Sequence, residues 1–270
     1  MTASPAVSSL PDLPEPGGLC AIHQPNLFPR LTTLAKLFAA DYWIVLDDVQ
    51  FTRRDYQHRA RLGALDEANP SQWLTIPTRL PHGRSTLIRD AWIVDPDRAR
   101  RKTAGMLRQH YTASPHWPTL ARLLDPVLDG FDTGRTAAVA TASTRLLLGL
   151  LGWQGQILTS SDLPSRPGRS QRLADLAAVT GARAYVCGTG GMSYLDPAPF
   201  AAAGIAVLPF QPPTTTIWSS GRKLSALWAL ATLGPQDLAA CLQGVALDHV
   251  LLHRPQRPPS ECGEAASIGV

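Results

Sequence analysis

The sequence predicts an α/β fold, a mostly parallel, Rossmann-like sheet covered by helices on both faces, with a helical insert. Short apolar segments alternate with helical patterns near both ends of the chain, which is the order of βαβ units. Two of these segments stop abruptly at polar clusters, as the strands of an open sheet do where a ligand binds. The 270 residues, 44% of them hydrophobic, suffice for one large core.

The first part of the chain contains two predicted strands around one helix, followed by two short extended segments. The extended segments flank the turn Pro81-His82-Gly83, and we therefore expect them to pair as a hairpin. In chain order these elements are a strand at 19–23, a helix at 31–40, a strand at 42–47, and extended segments at 73–77 and 91–94.

A helical insert at about 97–151 follows, after which strands and helices alternate again. The insert comprises a helical region at 97–128, broken near Ser114-Pro115, and a helix at 136–151. The later elements are a strand at 156–159, a helix at 170–180, a strand at 184–187, a helix at 194–203, a strand at 205–210, and helices at 224–233 and 235–242.

The composition predicts one α/β domain at 18–253 between two tails. Residues 1–17 and 254–270 are rich in Pro, Ser and Gly, so we expect them to be disordered. Neither a signal peptide nor an uninterrupted apolar stretch of membrane-spanning length is present, which favours a cytoplasmic protein without a membrane partner.

Cysteine spacing and charge narrow the possible ligands. The four cysteines, Cys20, Cys187, Cys241 and Cys262, show no CxxC pair, so we expect reduced thiols, no metal site and no cofactor. The net charge of +4 comes almost wholly from scattered arginines, which favours an acidic small-molecule or carrier-protein-bound substrate over nucleic acid. Nothing in the sequence fixes an oligomeric state.

The first polar cluster follows the ends of the first two predicted strands. His23 ends one strand and is the best candidate for a general base, with Gln24 and Asn26 beside it. Asp47 and Asp48 end the other strand. Strand alternation turns them to opposite faces, so we expect Asp48 to face the pocket and to orient His23 or an amine. Paired aspartates can alternatively hold Mg²⁺ beside a phosphate.

Two further groups of polar residues have chemical uses. Arg54, Gln57 and Arg59 can clamp a phosphate or carboxylate. Cys187 ends a predicted strand and is a candidate nucleophile, although a cysteine at that place is also commonly a packing residue. The amides of the following turn, Gly188 to Gly191, can stabilise an oxyanion, or the glycines can simply make a tight turn. We expect His23, Asp48 and Cys187 to line a single cleft.

These motifs together resemble the WbqC-like proteins, which are found in polysaccharide and natural-product gene clusters. The resemblance spans about residues 19–233 and rests on IHQPNLFP, LDDVQF-x-RR-x-YQ-x-R, TSSDL, YVCGTGG-xx-YLD and AGIAVLPFQ. It implies functional positions that include Gln50, Tyr194 and Gln211 besides His23, Gln24, Asn26, Asp47, Asp48, Arg54, Gln57, Arg59, Gly188, Gly190 and Gly191. The chain departs from the family pattern at His58, commonly Asn, at Cys187, often Ser, and at 214–218.

The resemblance implies an enzyme of a natural-product or polysaccharide pathway that handles an acyl or aminoacyl group, because some family members accompany the attachment of amino-acid-derived acyl groups to amino sugars. We expect transfer or cyclisation from a carrier-protein thioester-like donor onto an amine. A nucleotidyltransferase using a nucleoside triphosphate and Mg²⁺ is an alternative, since the first forty residues resemble those enzymes in layout, without the second His of their HxGH motif. A non-catalytic sugar- or carrier-binding module is another.

Overall fold

The structure is a computed structural model that describes residues 18–65 and 71–252; the two predicted tails lie outside the described residues. The strands are β1 (Leu19–His23), β2 (Tyr42–Val45), β3 (Arg59–Leu62), β4 (Gln72–Thr75), β5 (Thr78–Arg79), β6 (Trp92–Ile93), β7 (Gln156–Thr159), β8 (Ala184–Gly188) and β9 (Ala206–Phe210). The α-helices are α1 (Leu31–Phe38), α2 (Pro96–Tyr111), α3 (Trp117–Asp129), α4 (Thr136–Leu150), α5 (Arg169–Val179), α6 (Thr189–Met192), α7 (Ala198–Ala202), α8 (Ile217–Gly221), α9 (Ala226–Leu233) and α10 (Pro235–Leu252).

The predicted parallel sheet is confirmed. Its five strands run parallel in the order β7-β2-β1-β8-β9. Numbered along the chain, these strands stand in the order 3-2-1-4-5, which is the order of a Rossmann sheet. The order reverses between β1 and β8, so a crevice is expected outside the carboxyl ends of these two strands.

Helices cover both faces of the sheet. Ala21 and Trp43 pack into a core with α1, α4 and α9, while Cys20 and Ile22 pack on the opposite face against α5 and α7. A strand buried on both faces is apolar at consecutive positions rather than at alternate ones. This burial explains why the first strands were predictable as unbroken apolar runs.

The hairpin predicted around Pro81-His82-Gly83 forms with a shifted first strand: β5, directly after the predicted segment 73–77, pairs with β6, and the Val94 amide donates to the Pro77 carbonyl oxygen over 2.9 Å. β4 pairs antiparallel with β3, and β6 pairs antiparallel with β5. β3 has the sequence RARL, in which Ala60 and Leu62 are buried and two arginines alternate with them. Because of those arginines, the sequence of this strand reads as part of a polar stretch.

The helical predictions are mostly confirmed, with differences at breaks and ends. The break predicted near Ser114-Pro115 separates α2 from α3. The helix predicted at 194–203 begins later than expected: α7 covers only 198–202, α6 precedes the predicted range at 189–192, and the Asp196 carboxylate accepts a hydrogen bond from the Ala198 amide at the start of α7. α8 was not predicted, and α10 runs ten residues further than expected. No helix of the described ranges is both long and apolar enough for a bilayer.

Candidate active site at the reversal of strand order

A cavity of about 630 Å³ opens at the carboxyl ends of β1 and β8, where the strand order reverses. One wall comes from the end of β1 and from α1, and the opposite wall comes from the turn after β8. Further lining residues come from the chain after β2, from α5, from the end of β9 and the segment after it, and from the residue that follows α8. The polar and charged side chains of the lining are His23, Gln24, Arg30, Thr32, Thr33, Lys36, Asp55, Tyr185, Thr189, Tyr194 and Arg222.

His23 lies in this lining with a defined proton arrangement. Its Nδ1 is 3.1 Å from the carbonyl oxygen of Gln24. A carbonyl oxygen only accepts, so we assign the proton to Nδ1 and a free lone pair to Nε2. Burial, and secondarily the positive charges of Lys36 and Arg30, hold the pKa of His23 well below its ordinary value. The imidazole is therefore neutral near pH 7 and has the form of a general base.

Gln24 also lines the cavity, and Gln57 fixes its orientation from behind. Gln57 Nε2 donates to Gln24 Oε1 over 2.7 Å, and Gln57 Oε1 accepts from the Thr52 amide over 2.9 Å. Only 1% of the Gln57 surface is exposed. Gln57, predicted to bind substrate, therefore acts as a support for Gln24.

Lys36 is a cavity residue that the sequence analysis missed. It lies on α1 and is 7% exposed, and its Nζ donates to the carbonyl oxygen of Ile22 over 3.2 Å. Burial lowers the pKa of this ammonium group to about 8, although Cys187 and Cys20 oppose the shift. The available signal was a lone lysine in the otherwise uncharged helix LTTLAKLF, directly after a strand that ends in His23.

Two arginines, also missed, line the same cavity. Arg30 Nη1 donates to the carbonyl oxygen of Arg222 over 3.3 Å, and the Arg30 guanidinium lies 4.5 Å from the centre of the Tyr56 ring. The acidic member of the lining is Asp55, whose Oδ1 accepts from the Tyr56 amide over 2.8 Å. The cavity thus carries an excess of positive charge.

The glycine turn forms the opposite wall and brings Gly188, Gly190 and Gly191, three of the residues predicted to bind substrate, into the lining. A Cβ on Gly191 would lie 2.6 Å from Cys187 Sγ, so the close approach of the turn to the strand requires glycine there. Tyr194 lines the rim with about half of its surface exposed, and the Arg169 guanidinium lies 4.3 Å from its ring centre.

The expected single cleft of His23, Asp48 and Cys187 is not what the structure shows, because only His23 lines the cavity. Cys187 is fully buried beneath the glycine turn, and its Sγ donates to the Gly188 carbonyl oxygen over 3.5 Å. Burial raises the pKa of the Cys187 thiol, an effect that Lys36 partly offsets. A buried, protonated thiol has the environment of a packing residue rather than of a nucleophile.

The two aspartates after β2 connect strands instead of facing the cavity. Asp47 accepts hydrogen bonds from the amide and hydroxyl of Ser161 at 3.2 and 3.0 Å, and its Oδ1 lies 3.1 Å from the Ser160 hydroxyl oxygen. Asp48 accepts from Ser160 and forms an ion pair with Arg172. The TSSDL motif therefore ties the end of β7 to the end of β2. Asp47 borders a separate cavity of about 490 Å³ next to α4.

The remaining predicted site residues lie outside the first cavity. Asn26 is buried, and its carbonyl oxygen accepts from Ser143 and Thr144 on α4. Gln50 donates to the Arg84 carbonyl oxygen over 2.5 Å, and the Arg59 guanidinium lies 4.5 Å from the Trp73 ring centre. The other two, both exposed, are Arg54 and Gln211. Within 18–65 and 71–252, no three His, Cys, Asp or Glu side chains are grouped so as to hold a metal ion.

Comparison with known proteins identifies the family to which the chain belongs. The family model described as the WbqC-like protein family matches residues 24–228. The protein titled "Uncharacterized protein Rv1507c", from Mycobacterium tuberculosis, is 27% identical over 176 residues, which cover 65% of this chain and 74% of that protein. No solved structure matches the chain significantly. Since the family match covers well over half of its length, the chain belongs to the WbqC-like protein family.

Proposed function

We propose that the protein is an enzyme that transfers an acyl or aminoacyl group from an activated, thioester-like donor onto an amine. One observation carries the proposal: a neutral histidine, His23, offers a free Nε2 lone pair inside a cavity at the reversal point of a Rossmann sheet. An amine must lose a proton as it attacks a carbonyl carbon, and a neutral imidazole is suited to receive it.

The reaction needs no covalent enzyme intermediate. The amine nitrogen bonds to the carbonyl carbon while His23 Nε2 takes a proton from it. The amides of the glycine turn stabilise the negative charge that develops on the carbonyl oxygen. The carbon–sulfur bond then breaks, and His23 returns the proton to the departing thiolate, which leaves an amide and a free thiol. Cyclisation follows the same steps when donor and amine belong to one molecule.

The test is a panel of acyl and aminoacyl thioesters, on coenzyme A and on carrier proteins, combined with amino-sugar and other amine acceptors. Thiol release and product mass are both measured. We expect His23→Gln to lower the rate about 100-fold or more, whereas His82→Gln, which changes an exposed loop histidine, leaves it unchanged. Cys187→Ser should retain activity. Absence of turnover with every pair, or full activity of His23→Gln, would contradict the proposal.

Nucleotidyl transfer with Mg²⁺ is a second candidate, favoured by the position of a cationic cavity where Rossmann sheets bind phosphates. It predicts that a nucleoside triphosphate with Mg²⁺ raises the melting temperature and that pyrophosphate is released. A non-catalytic binding module instead predicts that ligands bind without any product, and that His23→Gln changes no rate.

A further inference from the structure

Three basic side chains surround the first cavity, and its lining contains one carboxylate. The basic residues are Arg30, Lys36 and Arg222, and the acid is Asp55. Among the described residues, none of the three basic side chains forms an ion pair. With His23 neutral, the cavity has an excess of two positive charges.

Arg222 is exposed, but Lys36 and part of the Arg30 guanidinium are buried, and their burial makes the excess charge informative. Lys36 is 7% exposed, and its Nζ donates a hydrogen bond to a backbone carbonyl oxygen, which cannot neutralise its charge. Arg30 Nε is buried and has no hydrogen-bond partner within the described part of the chain. A buried cation without a counter-charge, and a buried N–H without an acceptor, are both unfavourable unless a ligand supplies the missing group.

The missing group is therefore an anion with acceptor oxygens and a double charge. A carboxylate or a phosphodiester carries a single negative charge, whereas a phosphate monoester at neutral pH carries nearly two. A guanidinium matches phosphate oxygens with parallel N–H groups, and an ammonium adds a compact charge. A cavity of about 630 Å³ also has room for more than the phosphate alone.

We propose that this cavity binds a doubly charged phosphate group of the substrate, held by the buried Lys36 and by Arg30 and Arg222. The inference rests on the proposed function in one respect, that the phosphate belongs to the acyl donor. It makes that donor a small molecule whose phosphate adjoins the activated acyl carbon, as in an acyl phosphate, from which the carbon–oxygen bond breaks and inorganic phosphate leaves in place of the thiolate.

Binding is tested on the full chain with methyl phosphate and dimethyl phosphate, which differ in charge and by one methyl group. We expect methyl phosphate to bind saturably at pH 7.5 and at least tenfold more tightly than dimethyl phosphate. Lys36→Gln and Arg222→Gln should each weaken binding about tenfold or more, and Lys102→Gln, which removes an exposed lysine on α2, should not. Equal binding of the two esters, no saturable binding, or unchanged binding by both cavity variants would overturn the proposal.

Competition then identifies the source of the phosphate. Displacement of methyl phosphate by acetyl phosphate supports an acyl phosphate donor, whereas displacement by coenzyme A alone would contradict that donor. Turnover separates this inference from the proposed reaction. If an N-acetylcysteamine thioester, which has no phosphate, reacts as fast as the acyl phosphate of the same acyl group at equal low concentration, the phosphate site is wrong while acyl transfer stands.

Discussion

The ammonium nitrogen of Lys36 lies 3.2 Å from the carbonyl oxygen of Ile22, the residue directly before His23. This hydrogen bond fixes the one lysine of α1 to the end of β1 and places its charge beside the candidate base. The same charge helps to keep His23 neutral. A buried cation that is present in order to bind a ligand should lower the free energy of unfolding of the ligand-free protein.

Replacing Lys36 with Met should therefore stabilise the fold. Burial lowers the Lys36 pKa from 10.5 to about 8, so the unfolded chain binds this proton more tightly than the folded protein. The contribution of Lys36 to the free energy of unfolding is most unfavourable below pH 8 and becomes less so as the pH rises toward 10.5. We expect Lys36→Met to raise the free energy of unfolding at pH 7 by about 1–3 kcal/mol, after the lost hydrogen bond is allowed for.

Urea unfolding at pH 7 and pH 9.5 measures the difference in the free energy of unfolding between Lys36→Met and the wild type. The stabilisation by Lys36→Met should be smaller at pH 9.5. Lys102→Met is the matched control, because it removes an exposed lysine and should change the free energy by less than about 0.5 kcal/mol. A Lys36→Met protein that is less stable than the wild type at pH 7 would show that the lysine is structural.

The Asp47 carboxylate should be important for folding rather than for chemistry. Asp47→Ala leaves the Ser161 amide and hydroxyl without their acceptor next to a buried strand end. We expect it to lower the free energy of unfolding by about 2 kcal/mol or more. Asp125→Ala, at an exposed position on α3, should cost less than about 0.5 kcal/mol. An equal effect of both changes on the free energy of unfolding, measured by urea unfolding, would contradict a stabilising role of the Asp47 hydrogen bonds between β2 and β7.

The Cys187 thiol should be unreactive. Its side chain is fully buried, and burial raises its pKa, so little thiolate is present or accessible at pH 7.5. Iodoacetamide labelling followed by peptide mapping should modify the partly exposed Cys241 at least tenfold faster than Cys187. Labelling of Cys187 at the faster rate, with loss of activity, would restore it as a candidate nucleophile.

The close approach of the glycine turn to Cys187 can be measured as a coupling energy. Gly191→Ala places a Cβ 2.6 Å from Cys187 Sγ, and we expect a loss of about 1–3 kcal/mol. In a Cys187→Ala background the sulfur is gone, so the same substitution should cost at least about 1 kcal/mol less. Gly190→Ala, whose Cβ meets nothing within 4 Å, is the control. Equal costs of Gly191→Ala in both backgrounds would contradict the contact.

The fold was predictable where burial leaves a local pattern. β1, β2 and β8 are covered on both faces, so their apolar residues run together and stop where the sheet meets the cavity. β3 was missed because its arginines alternate with buried residues, and its pairing with β4 depends on a partner ten residues away.

The strand ends and the glycine turn of the site were predictable from the sequence, but the basic residues that line the cavity were not. His23 and the turn follow apolar strands directly, which is a local signal. Arg222 reaches the cavity from a short helix far along the chain, and only the fold brings it to Arg30. Asp48 and Cys187 were placed in the cleft by strand position alone, whereas Arg172 and the glycine turn decide where their side chains lie.

The most direct test of the candidate active site is a ¹⁵N NMR titration of the His23 imidazole, assigned by comparison with His23→Gln. We expect a neutral ring with its proton on Nδ1 at pH 6, and protonation only at a pH below the ordinary histidine pKa, because burial and the charges of Lys36 and Arg30 disfavour the cation. A ring protonated at pH 6, or a neutral ring with its proton on Nε2, would contradict the assignment of His23 as the base.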